Sequence, residues 1–182
     1  MTPPLLTDLA ATPLDPELTP GAYNAVNTCL RIQPNEKVTV ITDNACRDIA
    51  ASIAQELVKV GSPFKAFVLE EIAERPLTGL PREIADDMET SQVSIFAVNV
   101  QRNELKSRME MTDIVNRRRM RHAHMVNINH EIMLEGMRAD FKRVDALSKK
   151  VMEMVSKAKQ VSAKNPAGHC QHQWQRSDSK ED

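Results

Sequence analysis

The sequence has little to stack and little to bend with. Of its 182 residues, 3% are aromatic: one Trp, one Tyr and four Phe. A core of this chain must therefore be built from Val, Ile, Leu, Ala and the ten Met. The five glycines stand alone at 21, 61, 79, 136 and 168, so neither GxGxxG nor GxxxxGK[ST] occurs and a phosphate-cradling loop is not supported. The three cysteines, Cys29, Cys46 and Cys170, are odd in number, widely spaced and without a CxxC. They make no disulfide framework and fit free thiols in a reducing, cytoplasmic setting. No apolar run approaches the ~18 residues of a membrane span, and the first residues, MTPPLLTDLAATPLDPEL, lack the basic flank of a signal peptide. The expectation is a soluble cytoplasmic protein with no membrane partner.

What is present suits one α/β domain with tails. Hydrophobic residues make up 41% and charged residues 27%, ordinary for a globular chain of this length. The net charge is −1 but unevenly spread. Residues 1–100 hold seven Lys/Arg against fourteen Asp/Glu, and residues 101–182 hold seventeen against eleven. We read that split as helices with differently charged solvent faces rather than as a basic half built for a partner.

Along the chain, residues 1–19 carry Pro3, Pro4, Pro13 and Pro16 and read as a flexible arm. AYNAVNTCLRI follows with helical spacing at Ala22, Val26, Cys29 and Leu30. KVTVI (37–41) is a β-branched strand, and Thr42-Asp43-Asn44 caps a helix over 45–60 that ends at Gly61. FKAFVL (64–69) completes a βαβ unit, whose strands should be parallel. A short helix over 81–88, a strand over 93–98, a helix over 103–118 and a strand over 123–128 repeat the pattern. A turn of helix over 130–137 and an amphipathic helix over 141–159 close it, with Phe141, Val144, Leu147, Val151, Met154, Val155 and Ala158 inward. The expected fold is an open, mostly parallel sheet of about four strands with flanking helices over 20–162, then a linker remnant and disordered tail over 163–182.

Candidate chemistry concentrates between Arg108 and Asp145. His122 and His124 alternate along a strand and so share one face, the usual way to offer two nitrogens to a metal. No HExxH or matched carboxylate accompanies them, so ordinary hydrogen bonding is the favoured reading, with one imidazole facing a cleft as the alternative. Arg117, Arg118, Arg119 and Arg121 suggest phosphate contacts, but without interleaved aromatics they read as cations on a helix C-terminus, and no nucleic-acid partner is expected. Met109, Met111, Met120, Met125, Met133 and Met137 fit core faces. At the end of the first strand, TDNACRD reads as capping by Asp43 or Asn44 rather than an anion site. His169, Cys170 and His172 fall in the tail with no fourth ligand placed.

RMEMTDIVNRR (108–118), RHAHMVNI (121–128), IMLEGMRADF (132–141) and VDALS (144–148), together with the VTVITD and VSIFAVN strands, resemble the amino-terminal domain of the thermophilic-type metallo-aminopeptidases, the family of aminopeptidases T and S. The resemblance runs roughly from Thr19 to Gly168 and is densest in 105–150. It implies a dimeric enzyme that removes N-terminal residues from peptides, using a second domain whose two divalent cations, of Co or Zn type, activate water. Lys164-Asn165-Pro166-Ala167-Gly168 resembles the family's linker into that second domain, after which the pattern is lost at HCQHQWQRSDSKED. The expectation is a truncated and inactive form, from a shortened or frameshifted gene, with no metal ligand, bound cofactor or catalytic residue of its own. His122 and His124 match family positions without being its ligands. Two other readings stand beside this one: a non-catalytic interaction or regulatory α/β domain that pairs with itself or a relative, and a domain of the related iron-dependent dioxygenases that open pyridine rings.

Overall fold

The computed structural model describes residue 9 and residues 12–13, 15–158, 160–165 and 168–173. It divides into two compact units, residues 1–139 and residues 140–182, taken here one at a time.

The first unit is organised by two strands that are buried along their whole length. In β1 (Val38–Thr42) and β3 (Val93–Val98) no residue reaches solvent. Strands buried on both faces in this way belong to a parallel sheet covered on both sides. The sheet is open, entirely parallel and ordered β2-β1-β3-β4, with β2 at Phe64–Val68 and β4 at Arg121–Val126. Register sets Val38 opposite both Phe64 and Val93, and Ser94 opposite His122. The expected α/β class and strand number hold.

Period-2 alternation sorts the strand residues onto two cores. On one face Val38, Val40, Ile95 and Ala97 pack with Ile49, Ile53 and Leu57 of α2 (Arg47–Val60), and with Ala22 of α1 (Thr19–Tyr23). On the other face Ile41, Phe96 and Val98 pack with Ile84 and Met88 of α4 (Arg82–Met88) and with Met111, Ile114 and Val115 of α5 (Leu105–Arg118). A four-residue α3 (Leu69–Ile72) leaves β2 directly. The methionines mostly fill gaps, as a chain poor in aromatics requires: Met88, Met111 and Met133 are fully buried, whereas Met109 is exposed.

Local signals place several ends. Asp43 adopts extended backbone and accepts from the Cys46 N–H at 2.9 Å, so the cap expected after β1 forms. Gly61 takes φ 77°, the left-handed conformation that ends α2 without a Cβ penalty. Gly21 lies against α6 (His130–Leu134), and a Cβ there would meet the Met133 carbonyl oxygen at 2.8 Å, so only glycine fits.

Other expectations shift. Within the segment read as an arm, Pro16–Leu18 forms a 3-10 turn capped by Asp15, and both Leu9 and Leu18 are buried. Proline at the first helical position starts that turn rather than preventing one. The following helix begins at Thr19, and its second half, Asn24–Cys29, widens to a π-turn. Strand β4 lies two residues earlier than its apolar pattern suggests, because Arg121 and His122 pair with Val93 and Ser94.

In the second unit α7 spans Phe141–Val155, capped by Asp140, whose side chain accepts from the Arg143 N–H. Its apolar stripe was expected to point inward, yet none of its residues is buried: Val144, Leu147, Val151 and Met154 are 48%, 63%, 48% and 73% exposed. Hydrophobic periodicity identifies such a face but not what covers it. The backbone of the expected disordered tail forms an antiparallel hairpin of β5 (Gln160–Asn165) and β6 (Gly168–Gln173); residues 174–182 lie outside the described residues. No helix among the described residues is long and apolar enough to cross a membrane.

Truncating a residue that belongs to the central strands tests this account of the core. Ile95→Ala leaves a cavity between β3 and α2 and should cost about 3 kcal/mol in urea-unfolding free energy. Leu105→Ala, at a site 59% exposed, should stay within about 0.5 kcal/mol of the parent.

Candidate functional site

In an open parallel sheet, ligands bind outside the carboxyl ends of the strands, where the strand order reverses. Here that point lies between β1 and β3, because the chain leaves β1 toward β2 on one side and reaches β3 and β4 on the other. The residues that follow the two strands are Asp43 and Asn99.

That crevice is filled by the chain itself. Arg75, in the loop between α3 and α4, sends a guanidinium only 4% exposed into it. All five of its N–H donors are used. Nε and Nη2 form a fork on Glu104, at 2.8 and 2.7 Å. Nη2 also donates to the Asn99 carbonyl oxygen at 2.9 Å. Nη1 reaches Asp43 Oδ2 at 2.8 Å and Glu70 Oε1 at 3.0 Å. The carboxylates are held in turn by backbone donors. Asp43 accepts from the Asn99 N–H as well as from Cys46, and Glu104 accepts from the N–H groups of Leu77 and Gln101.

The electrostatics follow from burial and pairing. Glu104 is held down to about 2, first by the Arg75 hydrogen bonds, against the desolvation that would raise it. Arg75 is raised above its ordinary value, chiefly by Glu104. Cys46, beside the same site, is pushed up to about 12 by burial and then by Asp43, so its thiol is not a nucleophile at neutral pH. Two of the backbone donors that follow β1 are occupied as well, Asn44 N–H by Glu70 and Cys46 N–H by Asp43. The arrangement ties β1, β3, α3 and the start of α5 together.

The two histidines come together as their spacing predicts, but away from this crevice. His122 is the second residue of β4, near the amino end of the strand, and sits across from Ser94. Its Nδ1 lies 2.8 Å from Ser94 Oγ and its Nε2 lies 3.1 Å from His124 Nδ1. The His124 ring stacks on Phe96 at 5.5 Å between centroids. Burial and the neighbouring His124 lower His122 to about 4, and burial together with the Arg108 cation lowers His124. Both imidazoles are neutral at pH 7. Among the described residues no group of three or more His, Cys, Asp or Glu converges as a metal would need. His130 pairs instead with Asp48.

The remaining candidates divide in the same way. Arg117 pairs with Glu89 and Arg121 with Glu36, while Arg119 is the left-handed residue that ends α5, so the basic run serves ion pairs and a helix end. His169, Cys170 and His172 lie on β6 opposite Lys164, Ala163 and Val161, and their side chains fall outside the described residues. Sequence reasoning singled out Asp43 as a cap but missed Arg75, Glu70, Glu104 and Asn99. They lie in loops, at a four-residue helix and at a helix start, where no hydrophobic period marks them. No protein-family model matches the chain, and no curated protein sequence matches it significantly.

Two pH windows separate these sites. Glu104 is more acidic folded than unfolded, so its contribution is complete above about pH 4.3 and is lost as pH falls toward 2. His122 accepts a proton less readily folded than unfolded. The unfolded chain therefore binds the extra proton between about pH 6.5 and 4, and stability falls across that window. Urea unfolding at stepped pH should show the upper loss shrink in His122→Gln, with His124 still contributing to it, and persist undiminished in Glu104→Gln. Arg75→Met should cost about 3–5 kcal/mol at pH 7, because it leaves buried carboxylates without their cation.

Proposed function

We propose that this chain is the amino-terminal α/β domain of a metallo-aminopeptidase lineage, and that it does no peptide hydrolysis by itself. The reading is carried by the residue combinations from Arg108 to Ser148, which resemble that family over helix α5, strand β4 and the start of α7. An open parallel α/β sheet is the fold the reading requires. It is also supported by the state of the crevice, where Arg75 occupies the position a substrate would need. In this reading the two divalent cations and their carboxylate and histidine ligands belong to a second domain. This domain contributes a rigid sheet beside it, and the substrate is the amino end of a peptide.

A second reading, a non-catalytic interaction domain, is favoured by the same filled crevice combined with the uncovered apolar face of α7. The two readings differ in the gene and in the test tube. On the first, a shifted frame beyond codon 168 encodes a stretch rich in Glu, His and Asp; on the second, none does. Incubation of the purified chain with Co²⁺ or Zn²⁺ and a leucyl peptide should give no turnover and no stoichiometric metal. Turnover with stoichiometric metal would sink the assignment of the site to a second domain. Oxygen-dependent opening of a dihydroxypyridine with Fe²⁺ would move the chain to the dioxygenase lineage instead.

A further inference from the structure

We infer that Arg108 of α5 and His124 of β4 form a small oxyanion-binding site on the face of the sheet that α5 covers, taking a phosphate or carboxylate group. Every group involved belongs to the first unit, and the inference does not rest on the aminopeptidase reading.

Its first support is an arginine without a partner. Arg108 lies on the inward stripe of α5, where Ser107, Met111 and Val115 are buried. Its Nε is shut off from solvent with no hydrogen-bond acceptor, and among the described residues no ion pair reaches its guanidinium. The acidic residues along the same stretch are engaged or turned away. Glu104 forks on Arg75, Glu110 accepts from the Leu80 N–H, and Asp113 lies about 140° around the helix from Arg108. Native proteins leave so few buried donors unpaired that each calls for a cause, and a bound ion is one.

The second support is the group across from it. His124 is exposed on β4, and its ring stacks on Phe96. The Arg108 cation acts on that ring to lower its proton affinity, and no carboxylate offsets the effect. Hydrogen bonds behind the ring indicate which nitrogen carries the proton. Ser94 is fully buried, and its hydroxyl meets His122 Nδ1 at 2.8 Å. Assigning Ser94 as the donor leaves no buried O–H without an acceptor. His122 then carries its proton on Nε2 and donates it to His124 Nδ1 at 3.1 Å. The proton of His124 falls in turn on Nε2, the outer nitrogen, which is a free donor.

An oxygen anion suits this pair and a metal ion does not. A guanidinium fork matches the spacing of carboxylate and phosphate oxygens. A cation would be repelled by Arg108, and both nitrogens of His122 are taken, by Ser94 and by His124. With only a few donors, the affinity for a free ion belongs near ~1 mM.

The test uses the full 182-residue chain, with phosphate and acetate as probes. At pH 7 and constant ionic strength, phosphate should move the His124 Nε2 and Arg108 Nε nuclear magnetic resonances along saturable curves, with a dissociation constant of about 1 mM. Acetate is titrated in the same way. Saturation by either ion supports the site, and the tighter one identifies the oxyanion class. Arg108→Gln should weaken binding at least about tenfold, and His124→Gln about threefold. Arg108→Lys keeps the charge but loses the fork, and should also weaken binding; it carries the test if the Gln variant fails to fold. Arg117→Gln, at a residue paired with Glu89, should change nothing. Shifts that grow linearly with both ions overturn the inference. So does saturation that survives the Arg108 variants, or uptake of Zn²⁺ by the histidine pair in place of either anion.

Discussion

The sheet of this protein depends on one buried guanidinium. Parallel strands are joined by long crossovers, so nothing local holds the carboxyl ends of β1 and β3 in register with the loops that follow them. Arg75 supplies that link. Its five donors reach two strand ends, a short helix and the start of α5, and each buried carboxylate it meets is also anchored by backbone N–H groups. A buried ion pair is weak evidence for stability by itself, because desolvating each charge costs several kcal/mol. Here every guanidinium donor is satisfied, and geometry of that quality offsets the desolvation. The cost of breaking it then falls on whichever partner is left behind.

The same satisfaction limits chemistry. An α/β sheet offers its reversal point as a ligand site because backbone donors and strand-end side chains converge there without partners. In this chain Asp43, Glu70, Glu104 and Arg75 use one another up, and the thiol of Cys46 is too basic to act. The histidine pair is the nearest alternative, and it too closes on itself through Ser94 and Phe96.

Several elements were legible because physics ties them to short stretches. A β-branched run announced β1. The Asp43 cap and the Gly61 terminator bracketed α2. The alternation His122-Ala123-His124 correctly put both imidazoles on one face of a strand. Where the reading slipped, a tertiary contact had overruled a local signal. Proline-rich sequence suggested an arm, yet Leu18 is pulled into the core. Polar composition suggested a loose tail, yet main-chain pairing between Gln160–Asn165 and Gly168–Gln173 needs no apolar residues to form.

The sequence by itself determined the class of the fold, because the periods of apolar residues and the turn chemistry between them are properties of neighbours along the chain. It also determined that α7 is amphipathic. Only the tertiary structure decided that β1 lies between β2 and β3, that the crevice so created is filled by Arg75, and that the histidines sit on β4 near its amino end. Each of these depends on residues far apart in sequence meeting in space: Arg75 with Glu104, Asp43 with Asn99, Ser94 with His122. No periodicity records such pairs, since a charge in a loop looks the same whether it is solvated or buried against its counter-ion.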